Sequence, residues 1–397
     1  MAFDWDGFRK EIFAWDKAHS DMDVMTRDSM IIERILSERP IVPCPEERFF
    51  YDPEGWQVTW QLVDERLRAR VPDLKHLVGD VLAEGAKRRG YSGDPDIGHT
   101  APDFENVFRL GLPGLLKRLE TYAERAETEE QHRYYEAGIR TWRAIISYVK
   151  RAAEETGNEE QAAALRALAH RTPETLYEAI QLTILYYMFQ HRFDCSRVRT
   201  LGRLDHLYEP FRAADVASGR LDDESVRKMI GQMLCQVDSW KVTANMPFAV
   251  GGTGEDGRSA ANAMSAILIE VYSQLALPHV KLHFLYTEDM PSSLVRTALD
   301  AVRKGANSIC FLSDRTVTES LLRRGEDADD ARNYAVVGCY ECGGRGELTC
   351  SCNARVNIPK AIEMVFGNGR DMTTDTPMGL VRTAVPETYE DFLVAFY

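Results

Sequence analysis

Apolar residues recur at three- and four-residue spacing through the first two-thirds of the chain, then gather into shorter strand-like runs beyond Ser239. The helical period predicts helices over Met25–Glu38, Trp56–Arg70, Leu74–Arg89, Phe104–Arg125, Gln131–Thr156 and Glu159–Ala169. Met25–Glu38 has Thr26 and Asp28 near its start and places Met30, Ile31, Ile35 and Leu36 on one face. Phe104–Arg125 is apolar at Val107, Leu110, Leu112, Leu115, Leu116 and Leu119 and is broken at Gly111 and Pro113. Pro173–Gln190 begins Thr172-Pro173-Glu174, a cap followed by proline at the first helical position. Its far end is almost wholly apolar, so it reads as a core helix. Asp222–Ser239 closes the helical part.

Strands and helices then alternate. Expected strands are Phe248–Gly252, Val280–Tyr286, Ser308–Leu312 and Tyr334–Val337, with helices Ala260–Ala276, Ser292–Lys304 and Glu319–Arg324 between them. That order is the α/β signature. A further strand is possible near Val198–Thr200. No internal repeat or low-complexity linker interrupts the pattern.

Composition narrows the function classes. The chain has 397 residues, and 48 basic against 62 acidic side chains give a net charge of −14. A field of that sign repels phosphate backbones and anionic lipid heads, so neither nucleic acid nor a membrane surface is an expected partner. No apolar run approaches the ~18 residues needed to cross a bilayer. The start, Met1-Ala-Phe-Asp-Trp-Asp, has no basic and apolar leader pattern, and the expected location is the cytoplasm.

Four of the eight cysteines crowd into one short stretch as Cys339, Cys342, Cys350 and Cys352. Three readings compete there. The first is a tetrahedral zinc knuckle, although seven residues between the two pairs is short for a zinc ribbon. The second is a set of inert thiols in a buried loop. The third is a loop after a buried strand in which Cys339 and Glu341, two residues apart, project to one side. A neighbouring carboxylate raises a thiol's pKa. Such a sulfur is a poor ionic nucleophile but suits hydrogen-atom abstraction, with the carboxylate taking a proton from the same substrate.

Asn333-Tyr334-Ala335-Val336-Val337-Gly338-Cys339-Tyr340-Glu341 resembles the cysteine finger loop of the glycyl radical enzymes, the family of pyruvate formate-lyase and of related dehydratases, lyases and decarboxylases. Gly98-His99-Thr100-Ala101-Pro102-Asp103-Phe104 is similar to an early motif of that family. Leu201-Gly202-Arg203-Leu204-Asp205 with Tyr208-Glu209-Pro210-Phe211, then Val250-Gly251-Gly252 to Asn262, and finally Asn357 to Glu363 follow in the family's order.

The resemblance implies half of a ten-stranded α/β barrel with a large helical N-terminal surround. It divides the chain into a helical region, 1–97, and a first half-barrel, 98–397, with the finger loop near 338–344. By the same resemblance Cys339 is the catalytic thiol and Glu341 the general base. Gly338 and Tyr340 flank Cys339, so the paired sulfurs used for formate-lyase acyl transfer are absent and that activity is disfavoured. The downstream acid of the diol dehydratases is also missing from Thr349 to Arg355. Arg197 stands where dehydratases carry a substrate contact and suggests an anionic substrate group held bidentately. A structural pairing with Asp194 or Glu209 is the competing account. His279, Lys281 and His283 alternate along one strand and share a face, as substrate contacts if that face is the barrel lumen. His99 is a weaker candidate for the same role.

No metal is expected, and no cofactor bound directly. The resemblance implies a glycyl radical installed by an S-adenosylmethionine/iron–sulfur activase. The radical glycine motif does not occur in this sequence. The expectation is therefore that a second chain, or a remainder of this one, carries it. The helix starting at Thr388 reaches Tyr397 without a glycine cap, which fits that expectation. Expected partners are a small-molecule substrate, the activating enzyme, the radical-bearing half and a second copy in a homo-oligomer. The alternative is a truncated, non-catalytic relative.

Overall fold

The computed structural model describes residues 3–44, 46–53, 58–59, 61–62, 65–66, 91–93, 99–193, 198–241, 246–275, 277–306, 308–338, 341–344, 348–349, 354–378 and 385–396, with backbone alone at 91–93, 99–100, 192, 198–199, 348–349 and 354–356. In chain order the helical part runs α1 (Trp5–Ala18), α2 (Val24–Glu38), β1 (Tyr91–Gly93), β2 (His99–Thr100), α3 (Phe104–Ala123), α4 (Glu129–Glu155), α5 (Glu159–Leu168) and α6 (Leu176–Phe193). The alternating part runs β3 (Val198–Arg199), α7 (Leu204–Ala217), α8 (Asp223–Ser239), β4 (Met246–Gly251), α9 (Ala263–Gln274), β5 (Val280–Tyr286), α10 (Ser292–Arg303), β6 (Ile309–Ser313), α11 (Asp314–Arg324) and α12 (Ala328–Arg332). The end of the chain holds β7 (Ala335–Val336), β8 (Cys342–Gly343), β9 (Leu348–Thr349), β10 (Ala354–Val356), α13 (Ile358–Phe366) and α14 (Tyr389–Phe396).

Side-chain caps start most of these helices. Asp23, Asp103, Asn158, Asp222 and Ser313 each accept an N–H from the first turn of the helix that follows. Thr128 and Gln131 form a reciprocal capping box at α4, and Asn262 and Ser265 do so at α9. Gly111 breaks α3 with φ of 62°, next to the Pro113 that the pattern flagged. The core helix α6 starts three residues later than expected. Thr175, not Thr172, caps it, accepting from Glu178 N–H at 3.2 Å, and Leu176 N–H donates to the buried Asp215 carboxylate at 2.9 Å. Leu176, Ala179, Ile180, Leu182, Leu185 and Met188 of α6 are buried at the centre of the main core.

Periodicity missed α1, α7, α12 and α13. It also placed the start of α11 at Glu319, whereas Ser313 caps the helix directly off β6 and it begins at Asp314. The expected helices Trp56–Arg70 and Leu74–Arg89 lie largely outside the described residues.

The chain divides into two compact units, residues 1–62 with 98–349 and residues 63–97 with 350–397. This differs from the expected break after residue 97. Residues 1–62 join the larger unit because its core takes up Phe49 and Phe50, whose N–H groups donate to the amide oxygens of Gln236 and Gln181 at 3.1 and 2.7 Å. A fully buried set in the same unit links Arg39 to Asp52 at 2.8 Å and Tyr148 to Asp52 at 2.6 Å. In the smaller unit β1 and β10 pair antiparallel, and Lys360 bridges Glu363 and Asp371 at 2.6 and 2.8 Å.

The sheet of the larger unit positions the site. β4, β5 and β6 are parallel neighbours, and β2 and β3 are parallel neighbours. The chain beyond β3 joins the two groups. Leu201 N–H donates to Pro247 O at 2.8 Å, Ala249 N–H donates to Gly202 O at 2.9 Å, and Arg203 bridges Ala249 in parallel register. Five parallel strands, β2 to β6, therefore lie side by side in chain order, with β9 antiparallel on the outer side of β2. Connections of this kind carry helices between strands, as α7 to α10 do here.

Candidate active site

Register separates the two faces of this sheet. Phe248, Leu282 and Ile309 lie abreast on the helix-covered face, with Val250, Phe284 and Phe311 in the next row. Ala249, His283 and Cys310 lie abreast on the opposite face, and Gly251, Leu285 and Leu312 follow them. The second face holds its own small cluster: Ala249, Leu285, Leu312, Leu321, Ala331, Tyr334 and Val336, with Cys310 and Cys342 packed against it. On the helix-covered face Phe248, Val250, Leu282 and Phe284 belong to the main core instead, with Ile309 packed against it, while Phe311 on β6 is exposed.

Val336 and Cys342 come from a hairpin laid on the second face. β7 and β8 pair antiparallel, with Ala335 opposite Gly343 and Val336 opposite Cys342. Val337 N–H then donates to Glu341 O at 2.8 Å, which adds one more rung to the hairpin. Small residues on the strand beneath allow this approach, since Ala249 is buried against the cluster that includes Val336. Cys342 is half-buried, and its thiol is pushed up to about 12 by burial, with the Glu341, Cys310 and Asp314 charges adding to it. The hairpin environment thus favours S–H over thiolate.

Polar groups converge where the hairpin leaves the strand ends. Asp205 is fully buried and accepts from Gly251 N–H at 2.7 Å, Ser265 Oγ–H at 2.6 Å and His206 N–H at 2.9 Å. Arg203 donates through Nη2 to Gly251 O at 2.6 Å and through Nη1 to Arg332 O at 3.4 Å. Gly252 (φ 83°) passes so close that a Cβ there would stand 2.8 Å from Arg203 Nη2 and 3.1 Å from Asp314 Oδ1. Asp314, also fully buried, accepts from Thr253 Oγ1–H at 2.5 Å. The buried Tyr334 phenol beside it is pushed well above its ordinary range, first by burial and then by the Asp314 and Cys342 charges.

A cleft of about 50 Å³ opens beside the hairpin root, with Glu105, Arg203, His206, Ala249, Asn333 and Tyr334 in its wall. Burial, and then the Arg203 charge, push the His206 imidazole down, so it is a neutral donor or acceptor near neutral pH. The wall residues Glu105 and His206 were not singled out by the sequence, although Arg203 and Asp205 stand within a motif that was.

The expected site residues fall unevenly. His283 is fully buried on the hairpin side of the sheet, in register with Ala249 and Cys310. Lys281 lies on the same side, half-buried and abreast of Pro247. His279 is in the turn before β5, and its N–H donates to Asp238 Oδ1 at 2.8 Å, so strand alternation covers only Lys281 and His283. Glu341 is half-buried at the hairpin. The backbone of His99 pairs with Val198 and Thr349. Cys339 and Arg197 lie outside the described residues, as do Cys350 and Cys352 of the zinc reading. Among the described residues no group of three or more His, Cys, Asp and Glu side chains is arranged to hold a metal ion.

Against protein families, residues 83–397 match the model described as "Pyruvate formate lyase-like". The chain belongs to that family. Its relatives are glycyl radical enzymes. Trans-4-hydroxy-L-proline dehydratase of Clostridioides difficile is 25% identical over 319 residues, 72% of this chain and 40% of that protein. The (2S)-3-sulfopropanediol dehydratase of Klebsiella oxytoca is 25% identical over 372 residues, 83% of this chain and 44% of that protein. The crystal structure of a glycyl radical enzyme from Archaeoglobus fulgidus superimposes with a TM-score of 0.78 at 20% identity, covering 98% of this chain and 60% of that one.

The chain therefore spans less than half the length of these curated relatives. Its five parallel strands and hairpin form the first half of the glycyl radical enzyme α/β barrel, with the N-terminal helices around it. The Gly202-Arg203-Leu204-Asp205 motif now has a physical content in this chain. Arg203 and Asp205 join the ends of β3 and β4 through Gly251.

Proposed function

We propose that this chain is the catalytic-cysteine portion of a glycyl radical lyase. It would cleave a C–O, C–C or C–N bond of a small anionic substrate. The observation that carries this reading is the hairpin on the inner sheet face, in which Val337 pairs with Glu341 and Val336 with Cys342. In this reading Cys339 is the sulfur that takes a hydrogen atom from substrate carbon. A glycyl radical, borne by a second chain or a remainder of this one and installed by an S-adenosylmethionine activase, supplies the one-electron chemistry at that sulfur.

The chain's own residues do the rest. Glu341 takes the proton of a substrate hydroxyl or equivalent group. The burial that, with nearby negative charge, keeps the Cys342 thiol protonated supports a reading of hydrogen-atom rather than thiolate chemistry. His283 and Lys281, on the face that carries the hairpin, would contact the substrate, and Arg197 would hold its anionic group, with His279 and His99 as outer contacts. The charge of −14 fits neither nucleic acid nor anionic membrane, and among the described residues no helix is long and apolar enough to span a bilayer. The reading is of a cytoplasmic homo-oligomer.

Cys339→Ala and Glu341→Gln should each abolish turnover of the anaerobically assembled, activated complex. The Cys339 change should leave the glycyl radical signal in electron paramagnetic resonance intact. Normal turnover by Cys339→Ala sinks the reading. Failure of wild type to support any turnover, with an active relative as control, favours a non-catalytic relative.

A further inference from the structure

One arginine holds three pieces of chain that are far apart in sequence. Arg203 follows β3, its Nη2 binds the last carbonyl of β4, and its Nη1 binds the carbonyl of Arg332 just before the hairpin. A few residues away the hairpin root is held again. Tyr334 is fully buried and lies beside Asp314, the first residue after β6. Asp314 is in turn fastened to Thr253, in the loop after β4. Gly252 threads between Arg203 and Asp314 with no room for a side chain. Arg203, tied to the end of β4, thus binds Arg332, and Asp314 at the end of β6 lies beside Tyr334, so the strand ends flank both neighbours of Asn333.

We propose that Arg203, Asp314 and Tyr334 form a clamp that positions the finger hairpin by its root. None of the three is a catalytic residue in this account. They act through β7 and β8, setting the depth at which Glu341 is presented, so the importance of the clamp rests on the function proposed above. The chemistry suits the task. The guanidinium fork spans two carbonyls that a lysine ammonium, a point charge on a flexible stem, cannot bridge. The Tyr334 phenol is kept protonated by burial and stands beside the Asp314 carboxylate, so neither group is free to move independently of the other in the packed hairpin root. The clamp also explains the small residues at the strand ends, because any side chain at Gly252 would separate Arg203 from Asp314.

The test uses the full chain in the assembly in which it is purified. Arg203→Lys, Asp314→Asn and Tyr334→Phe are compared with wild type by hydrogen exchange of the peptide spanning Asn333–Gly344 and by the pH profile of Cys342 alkylation, read by mass spectrometry. Wild-type Cys342 should alkylate with a profile displaced toward its elevated value of about 12. In each variant the hairpin amides should exchange about tenfold faster, with protection elsewhere retained. The Cys342 profile should fall toward the ordinary thiol value of ~8.5. Asp314→Asn combined with Tyr334→Phe should be no worse than the stronger single change, because both break one contact.

Folded variants with wild-type hairpin exchange and an unmoved Cys342 profile overturn the clamp. Should Arg203→Lys fail to fold, Tyr334→Phe decides alone, since it removes one oxygen and keeps the ring. In the activated complex the variants should lower kcat while KM stays within about threefold, the pattern of lost positioning. If wild type shows no turnover but the exchange and alkylation results hold, the functional reading fails and the clamp stands.

Discussion

The two faces of one parallel sheet are built from alternate residues of the same strands, yet they have opposite chemistry. On β4 and β5 the outer face reads Phe248 and Val250, then Leu282 and Phe284, all fully buried. The inner face reads Ala249 and Gly251, then Lys281, His283 and Leu285. Large apolar side chains on the outside bury area against α9, where Phe248 meets Tyr272 edge-on at 5.9 Å. Small and polar side chains on the inside leave room for a second layer of backbone, the β7–β8 hairpin. One face therefore supplies buried area, and the other holds the hairpin of the proposed site.

The comparison can be broken by exchanging what each face tolerates. Phe284→Ala on the outer face should cost most, about 3–5 kcal/mol in denaturant unfolding, from lost burial and an unfilled cavity. Activity per folded molecule should be little changed. Gly251→Ala should cost about 1–3 kcal/mol for a left-handed backbone alone. Its φ is 85°, and its Cβ would stand 2.6 Å from Met290 Cε and 2.7 Å from Leu285 O, so thermal unfolding should show a loss at or above that range.

Ala249→Leu should cost about 1–3 kcal/mol by overpacking. Because Ala249 belongs to the cluster under Val336, this substitution, unlike Phe284→Ala, should also speed amide exchange in the hairpin. Equal hairpin exchange in the two variants would remove the distinction between the faces.

Two gentler tests compare inside with outside. The thiolate is the reactive form of cysteine, and although burial and the Asp238 charge also raise the Cys235 thiol, iodoacetamide at pH 8 should modify exposed Cys235 at least ~10-fold faster than Cys342, which is pushed up to about 12. The last test lies away from the sheet, at Glu47, whose carboxyl burial pushes up to about 7 from an ordinary value of 4.5. A raised folded-state value means that its favourable contribution is complete below about pH 4.5 and is lost as pH rises through 7. Glu47→Gln should flatten that part of the stability–pH curve, and an unchanged slope between those limits would show that Glu47 is not buried as described.

Much of the fold was legible because its signals are local. The strand Val280–Tyr286 was placed to the residue, and α8, α9 and α10 were found close to their observed bounds, whereas α7 and α12 were not. The misses have local causes too. Thr172-Pro173 looks like a helix start, but the tertiary contact from Asp215 to Leu176 N–H and the Thr175 cap move the start inward. α7 contains Pro210 and was read as a motif rather than as a helix. In the candidate site, the Cys339–Glu341 spacing was visible in the chain, whereas the grip of Arg203 on Gly251 and Arg332 was not. Those partners lie 48 and 129 residues away.

Local signals alone carried the family, most of the order of strands and helices, and a thiol and a carboxylate two residues apart. Each of these depends on residues close together in the chain or on motifs in a set order. Only the tertiary structure decided which strand face carries the hairpin and that residues 1–62 belong with 98–349. It alone also showed that the Gly-Arg-Leu-Asp motif joins strand ends. Those outcomes depend on burial and on hydrogen bonds between distant segments, where a side chain's role is set by what folds against it.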